Sequence, residues 1–342
     1  MRIVSTIALT EQQRVAIAHA APQAQLDDRR CRTSAEAAAL IAEGCEILFS
    51  PPLLVPDGVV RLSPRLKWIQ LTSAGADRMR ALGVLDSAVQ VTTVSGIHCT
   101  PMAEYVIASM LAYAHRLHVS IRAQTRKQWL GPGWLATAPF LGAVDELRGK
   151  ALGVLGYGSV GREVARLARV FGMRILALKR NPEVRRDSGW CPPGLGDPEG
   201  VIPERFFGPE ERRAMLAECD YVVVVLPLTE ATEKFLGRRE LAALRPHAYL
   251  VNVGRGGLID QPALVEALSS GRLGGAGLDV FEPEPLPPES PLWEMENVIV
   301  TPHMAGVFRG YFDAAASLFA DNLRRFFAAQ PLVNPVDPAA GY

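Results

Sequence analysis

Residues 156–161 read Gly156-Tyr157-Gly158-Ser159-Val160-Gly161, a G-x-G-x-x-G turn. An apolar run at 151–155 precedes it and a helical pattern at 160–171 follows. A strand, this turn and a helix in succession is the context that separates a dinucleotide-binding turn from an ordinary glycine-rich loop. Gly156 permits the tight turn, Gly158 lets the backbone approach a pyrophosphate, and Gly161 lets helix and strand pack closely. The helix start adds unpaired N–H groups and the positive end of a dipole. The plainer alternative is a glycine-rich turn that binds nothing.

Five more short runs follow the first, at 174–179, 221–227, 248–253, 275–280 and 297–302. They are nearly continuous in Val, Leu, Ile and Ala, as strands buried on both faces must be. Helical patterns at 160–171, 209–219, 238–244 and 261–269 fall between them. The first hundred residues repeat the scheme, with strands expected at 2–7, 46–50, 67–71 and 90–94 and helices or turns at 11–20, 34–43 and 59–62. Strand–helix alternation of this kind predicts α/β architecture with parallel sheets covered on both faces. An apolar helix is expected at 101–128, a loop rich in Gly, Pro and Trp at 129–143, and an amphipathic helix at 309–329. The segment 181–208 carries Pro182, Pro192, Pro193, Pro198 and Pro203 and reads as a loop.

A chain of 342 residues has the length of about two domains. It holds 36 Lys and Arg against 36 Asp and Glu, a balance that argues against a nucleic-acid partner. No run reaches the roughly 20 apolar residues of a membrane span, and the N-terminus reads as a strand, not a signal peptide. The five cysteines are scattered, without a metal or disulfide spacing, so no metal site is expected and the address is expected to be cytoplasmic.

The second strand of a dinucleotide unit usually ends in an acidic residue that accepts from the ribose 2′-hydroxyl. Here Lys179-Arg180-Asn181 stands there. Two cations at that point favour a 2′-phosphate, hence NADP over NAD. The alternative is a pair of solvated surface cations with NAD accepted.

Ligands of open parallel sheets bind beyond the carboxyl ends of the strands. Arg255 follows one such strand; Asp279 ends the next, with Glu284 five residues on; His303 follows the last. One polar residue at a strand end is more often a cap than a catalyst, but three such groups together suit hydride transfer at a 2-oxo acid. Arg255 can hold a carboxylate. His303 can pass a proton to or from the carbonyl oxygen, since imidazole titrates nearest neutral pH. Glu284 can fix the imidazole tautomer.

The segments GYGSVG, LPLTEATEKFL, VNVGRGGLID, GAGLDVFEPEPLP and TPHMAG resemble the D-isomer-specific 2-hydroxyacid dehydrogenase family, and the resemblance spans essentially the whole chain. It implies a Rossmann cofactor domain, doubly wound around a parallel sheet, at 100–304. That domain would be inserted into a smaller flavodoxin-like α/β substrate domain made of 1–99 and 305–342. It implies that Arg255 binds the substrate carboxylate, that His303 is the acid/base and that Glu284 supports it. It also implies that Asp279 lies near the nicotinamide carboxamide, and that Pro227, Thr232, Val253 and Gly254 touch the cofactor. Ala74 and Gly75 would offer backbone N–H groups to the substrate carboxylate. A homodimer formed through the cofactor domain, involving the 101–128 helix and the following loop, is implied as well.

Some features depart from the family pattern. Lys179 replaces the acidic residue, and the 181–208 segment is long. His98 stands where many members have Asn, and is read as structural before functional. Formate dehydrogenase-like chemistry is disfavoured because Glu284 stands where those enzymes have Gln. A 3-phosphoglycerate dehydrogenase-like enzyme and a non-catalytic, nucleotide-sensing corepressor are the other readings. The intact Arg, Glu and His set disfavours the second. The first would want cations near Ser50-Pro51-Pro52-Leu53-Leu54, which offers none, and no regulatory domain is expected after residue 342. An unphosphorylated 2-oxo acid such as glyoxylate, hydroxypyruvate or a larger one is expected, with Leu53 and Leu54 hinting at an apolar pocket.

Overall fold

The computed structural model describes residues 1–130, 144–187 and 189–342. Strands β1 (Arg2–Ser5), β2 (Gln25–Asp28), β3 (Ile47–Ser50), β4 (Trp68–Leu71) and β5 (Gln90–Thr92) form one sheet in the order β2-β1-β3-β4-β5. Every pairing in it is parallel. This is the flavodoxin-like order of a doubly wound sheet. Because successive side chains alternate faces, Val4, Leu48, Ile69 and Val91 build one core, while Ile3, Ile47, Phe49 and Trp68 build another. The second core is closed by α1 (Glu11–Ala20) and the last helix, Tyr311–Phe327, whose Phe319 stacks on Phe49 with ring centroids 4.6 Å apart.

Strands β6 (Ala151–Leu155), β7 (Arg174–Leu178), β8 (Arg205–Phe207), β9 (Tyr221–Val224), β10 (Tyr249–Asn252), β11 (Gly275–Leu278) and β12 (Val298–Val300) form a second parallel sheet. Its order is β12-β11-β10-β9-β6-β7-β8. Counted from β6, that is the 3-2-1-4-5-6 order of a Rossmann fold with one strand added beyond β11. The order reverses between β6 and β9, which is where such sheets open a crevice at their carboxyl ends. The chain divides into two compact units: Met1–Ile97 with Gly189–Pro192 and Phe308–Tyr342, and His98–Ser188 with Pro193–Val307. The second unit thus interrupts the chain of the first.

Three elements depart from expectation. β2 is a strand of sequence Gln-Leu-Asp-Asp with no apolar run to mark it. It lies at a sheet edge, where Arg29 and Arg2 hold Asp27 and Arg14 holds Asp28. β8 falls inside the proline-rich segment read as loop throughout. The long helix expected at 101–128 is two, Cys99–Ala114 and Leu117–Thr125, broken where Arg116 takes a left-handed φ of 56°. The expected loop at 129–143 lies outside the described residues from 131 onward. Among the described residues, no helix is long and apolar enough to cross a membrane.

Candidate active site

The fingerprint turn joins β6 to the helix Ser159–Val170. Gly156 has φ +104°, and a Cβ there would lie 2.8 Å from the Val225 carbonyl oxygen. Only glycine takes both that conformation and that approach to β9. A Cβ on Gly161 would meet the Gly156 oxygen at 2.2 Å, so this residue fixes the helix against the strand. Gly158 is the contrast: it is exposed, and nothing lies within 4 Å of a Cβ built on it. Gly158 caps the helix with no side-chain hydrogen bond, leaving the Ser159 and Val160 N–H groups as donors without an intrahelical partner beside that open face. The turn therefore fits a dinucleotide pyrophosphate.

Tyr157 takes no part in that open face. Its ring is buried, and its hydroxyl donates to the Asp197 carboxylate at 2.7 Å. Arg162, buried on the same helix, lies over the Tyr157 ring and donates to the Asp197 and Arg185 carbonyls. Asp197 in turn accepts from the Val201 and Ile202 N–H groups, and Glu163 accepts from Gly196 N–H. Arg185, Gly196 and Asp197 are thus tied to the fingerprint helix by hydrogen bonds to Arg162 and Glu163. Lys179 donates its ammonium to the Val184 carbonyl, and burial followed by the Arg162 charge pushes its pKa down. Arg180 is exposed.

Arg255, Glu284 and His303 all lie in the second unit, on loops that leave β10, β11 and β12 at their carboxyl ends. Asn252, at the end of β10, accepts from Gly254 N–H and donates to the Arg255 carbonyl, holding the turn that presents Arg255. The Arg255 guanidinium also donates to the Gly254 carbonyl at 2.8 Å. Gly256 packs backbone on backbone against the next loop. A Cβ there would sit 2.0 Å from Phe281 C and O. That approach joins the Arg255 loop to the one carrying Glu284. A Gly256→Ala variant is expected to lose about 1–3 kcal/mol of stability. A denaturant melt checks this, and an unchanged midpoint would contradict the close approach.

Glu284 is held on both oxygens. Oε1 accepts from Phe281 N–H at 2.9 Å, and Oε2 accepts from His303 Nδ1 at 2.9 Å. A carboxylate only accepts here, so Nδ1 carries the hydrogen and Nε2 is left for chemistry. The His303 side chain is 52% exposed, open to a substrate. Asp279 is almost wholly buried beneath this turn, its carboxylate accepting from Thr301 Oγ1 and from the N–H groups of Met304 and Ala305.

The remaining expected residues fall as follows. Pro227 and Thr232 share the loop after β9, and the Thr232 hydroxyl closes it by donating to the Pro227 carbonyl at 2.6 Å. Val253 and Gly254 are buried in the turn before Arg255. Ala74 and Gly75 lie in the first unit, in the turn beyond the carboxyl end of β4, where Ser73 Oγ donates to the Gly75 carbonyl. Leu53 is exposed, while Leu54 packs against the core. His98 is buried beside Gly306, and burial followed by the Arg255 charge brings its pKa down to about 4. Sequence reasoning assigned no role to Asn252, Thr301, Tyr105 or Arg162. A polar residue closing an apolar strand was the one signal for Asn252.

A family model described as D-isomer specific 2-hydroxyacid dehydrogenase, NAD binding domain, matches residues 107–305. Glyoxylate reductase of Korarchaeum cryptofilum is 32% identical over 268 residues, 78% of this chain and 75% of its own. Glyoxylate/hydroxypyruvate reductase B of Pectobacterium atrosepticum is 29% identical over 91% of this chain and 95% of its own. The crystal structure of a D-isomer specific 2-hydroxyacid dehydrogenase from Xanthobacter autotrophicus Py2, in complex with NADPH and MES, matches with a TM-score of 0.76 at 29% identity. That match covers 100% of this chain and 99% of the other. With a Rossmann sheet, an open pyrophosphate turn and this similarity along its length, the chain belongs to the D-isomer-specific 2-hydroxyacid dehydrogenases, NAD(P)-dependent oxidoreductases of 2-hydroxy acids.

Proposed function

We propose that this enzyme reduces small unphosphorylated 2-oxo acids of the glyoxylate and hydroxypyruvate kind, with NADPH preferred to NADH. The observation that carries the reading is the His303–Glu284 pair on the loop edge shared with Arg255. Arg255 binds the substrate carboxylate and turns its carbonyl toward His303. His303 Nε2 gives a proton to the carbonyl oxygen in reduction and takes it back from the hydroxyl in oxidation. Glu284 holds Nδ1 and so fixes which ring nitrogen carries the hydrogen. The bound cofactor supplies or accepts the hydride. Asp279, Pro227, Thr232, Val253 and Gly254 line the cofactor side, and Ala74 and Gly75 add N–H groups for the carboxylate. In this reading the first unit is the substrate domain and the second the cofactor domain. The relatives named glyoxylate reductase and glyoxylate/hydroxypyruvate reductase B support the substrate class.

The cofactor preference rests on Arg180. With Lys179 turned to Val184, Arg180 is the exposed cation of the pair at the end of β7. An Arg180→Ala variant is expected to lose about tenfold in kcat/KM for NADPH while NADH is unchanged. Rates over a panel of 2-oxo acids with both cofactors test the whole reading. Equal use of both cofactors by the parent would remove the preference, and no turnover with any acid would remove the function. The reading includes a cytoplasmic homodimer, supported by exposed Leu117 and Ile121, four residues apart on one helix face, and by exposed Trp129.

A further inference from the structure

We infer that Tyr105 is a positioning residue for His303, acting through Thr301 and Asp279. The inference rests on His303 being the acid/base of the proposed reaction. His303 has a left-handed φ of +52°, a conformation that costs a residue with a Cβ about 1 kcal/mol or more. Something must hold it, and Asp279 does so from three sides. Its backbone carbonyl accepts from His303 N–H at 2.8 Å, and its carboxylate accepts from Met304 N–H and Ala305 N–H, both at 2.9 Å. The two peptide groups directly after His303 are therefore fixed by one buried side chain.

The orientation of that carboxylate has its own support. Thr301 Oγ1 donates to Asp279 Oδ1 at 2.6 Å. The Tyr105 hydroxyl lies 2.6 Å from Thr301 Oγ1. A threonine hydroxyl has one hydrogen, and here it is used toward the carboxylate. Tyr105 must therefore donate to Thr301. The chain of donors runs in one direction, from Tyr105 to Thr301 to Asp279. Burial raises the Tyr105 pKa to about 12, so it remains a donor wherever the enzyme works. Tyr105 stands on Cys99–Ala114, a different element from the loop that it steadies. A rotor such as Thr301, once freed from its donor, can turn away from Asp279, and the His303 turn then loses its single orientation.

The plain alternative is that Tyr105 only packs, since its ring also lies against the apolar core. Tyr105→Phe keeps the ring and removes the hydroxyl alone. The expected result is a fall in kcat of about three- to tenfold, with KM for the cofactor unchanged and the thermal midpoint close to the parent's. The kinetic isotope effect with 4-deuterated cofactor is expected to rise as the chemical step slows. Thr301→Val is expected to give a similar loss, Thr301→Ser to restore activity, and the Tyr105→Phe/Thr301→Val double variant to be no worse than the single ones. An unchanged kcat and isotope effect in Tyr105→Phe would overturn the inference, as would a change confined to the thermal midpoint. His303→Asn run alongside separates the two claims. If it retains activity, the acid/base reading fails; if it is inactive while Tyr105→Phe is normal, only the positioning role fails.

Discussion

A His303→Asn variant is expected to lose about 10²–10⁴ in kcat and to bind the cofactor as the parent does. Asparagine is close in size and can still donate to Glu284 Oε2, the group now 2.9 Å from His303 Nδ1. What it lacks is a second nitrogen that titrates. The loss therefore reports proton transfer and not collapse of the loop, which Asp279 holds through backbone groups. Stopped-flow single turnovers measure the chemical step, and a fluorescence titration with the cofactor measures binding. A kcat within tenfold of the parent would sink the acid/base assignment. A loss of cofactor binding would show instead that the turn had been disturbed.

Arg255→Ala is expected to lower kcat/KM for 2-oxo acids by about 10²–10³. The same substitution should barely change the slow reduction of an aldehyde that carries no carboxylate. That contrast isolates the guanidinium–carboxylate interaction from any general damage. Arg255→Lys keeps the charge but not the planar fork, so it should recover only part of the loss. The result that would count against the assignment is an equal loss for both substrates. The turn that presents Arg255 is braced by Asn252, whose side chain bonds to Gly254 N–H and to the Arg255 carbonyl. Removing the guanidinium leaves this brace in place, so the loop should keep its path.

Much of the second sheet was legible because its central strands are buried on both faces. Val222, Val223, Leu250 and Val251 are fully buried, and continuous apolar runs are what such positions demand. β2 and β8 were not legible for the opposite reason. An edge strand needs fewer apolar residues, and β2 satisfies its polar side chains with Arg2 and Arg14 from elsewhere in the chain and with the adjacent Arg29. The break at Arg116 was hidden too, since a left-handed φ in a non-glycine residue leaves no mark in a hydrophobic pattern.

Within the site, Arg255, Glu284 and His303 could be found as polar residues at the ends of apolar strands. Their local chemistry follows from residue type alone: a planar cation, a carboxylate acceptor and a titrating ring. The G-x-G-x-x-G spacing likewise determined where the backbone turns, because a Cβ on Gly156 or Gly161 would strike a neighbouring carbonyl. What the sequence could not specify were interactions between residues far apart in the chain. Gly256 joins the Arg255 and Glu284 loops, Arg162 and Tyr157 turn a proline-rich segment into a braced cover on the fingerprint helix, and Tyr105 reaches Thr301 across 196 positions. Each depends on a close approach between elements, and such approaches are set only when helices and strands have packed. Sequence determined which groups carry the chemistry; tertiary packing decided which of them are aimed and which are spent holding the others in place.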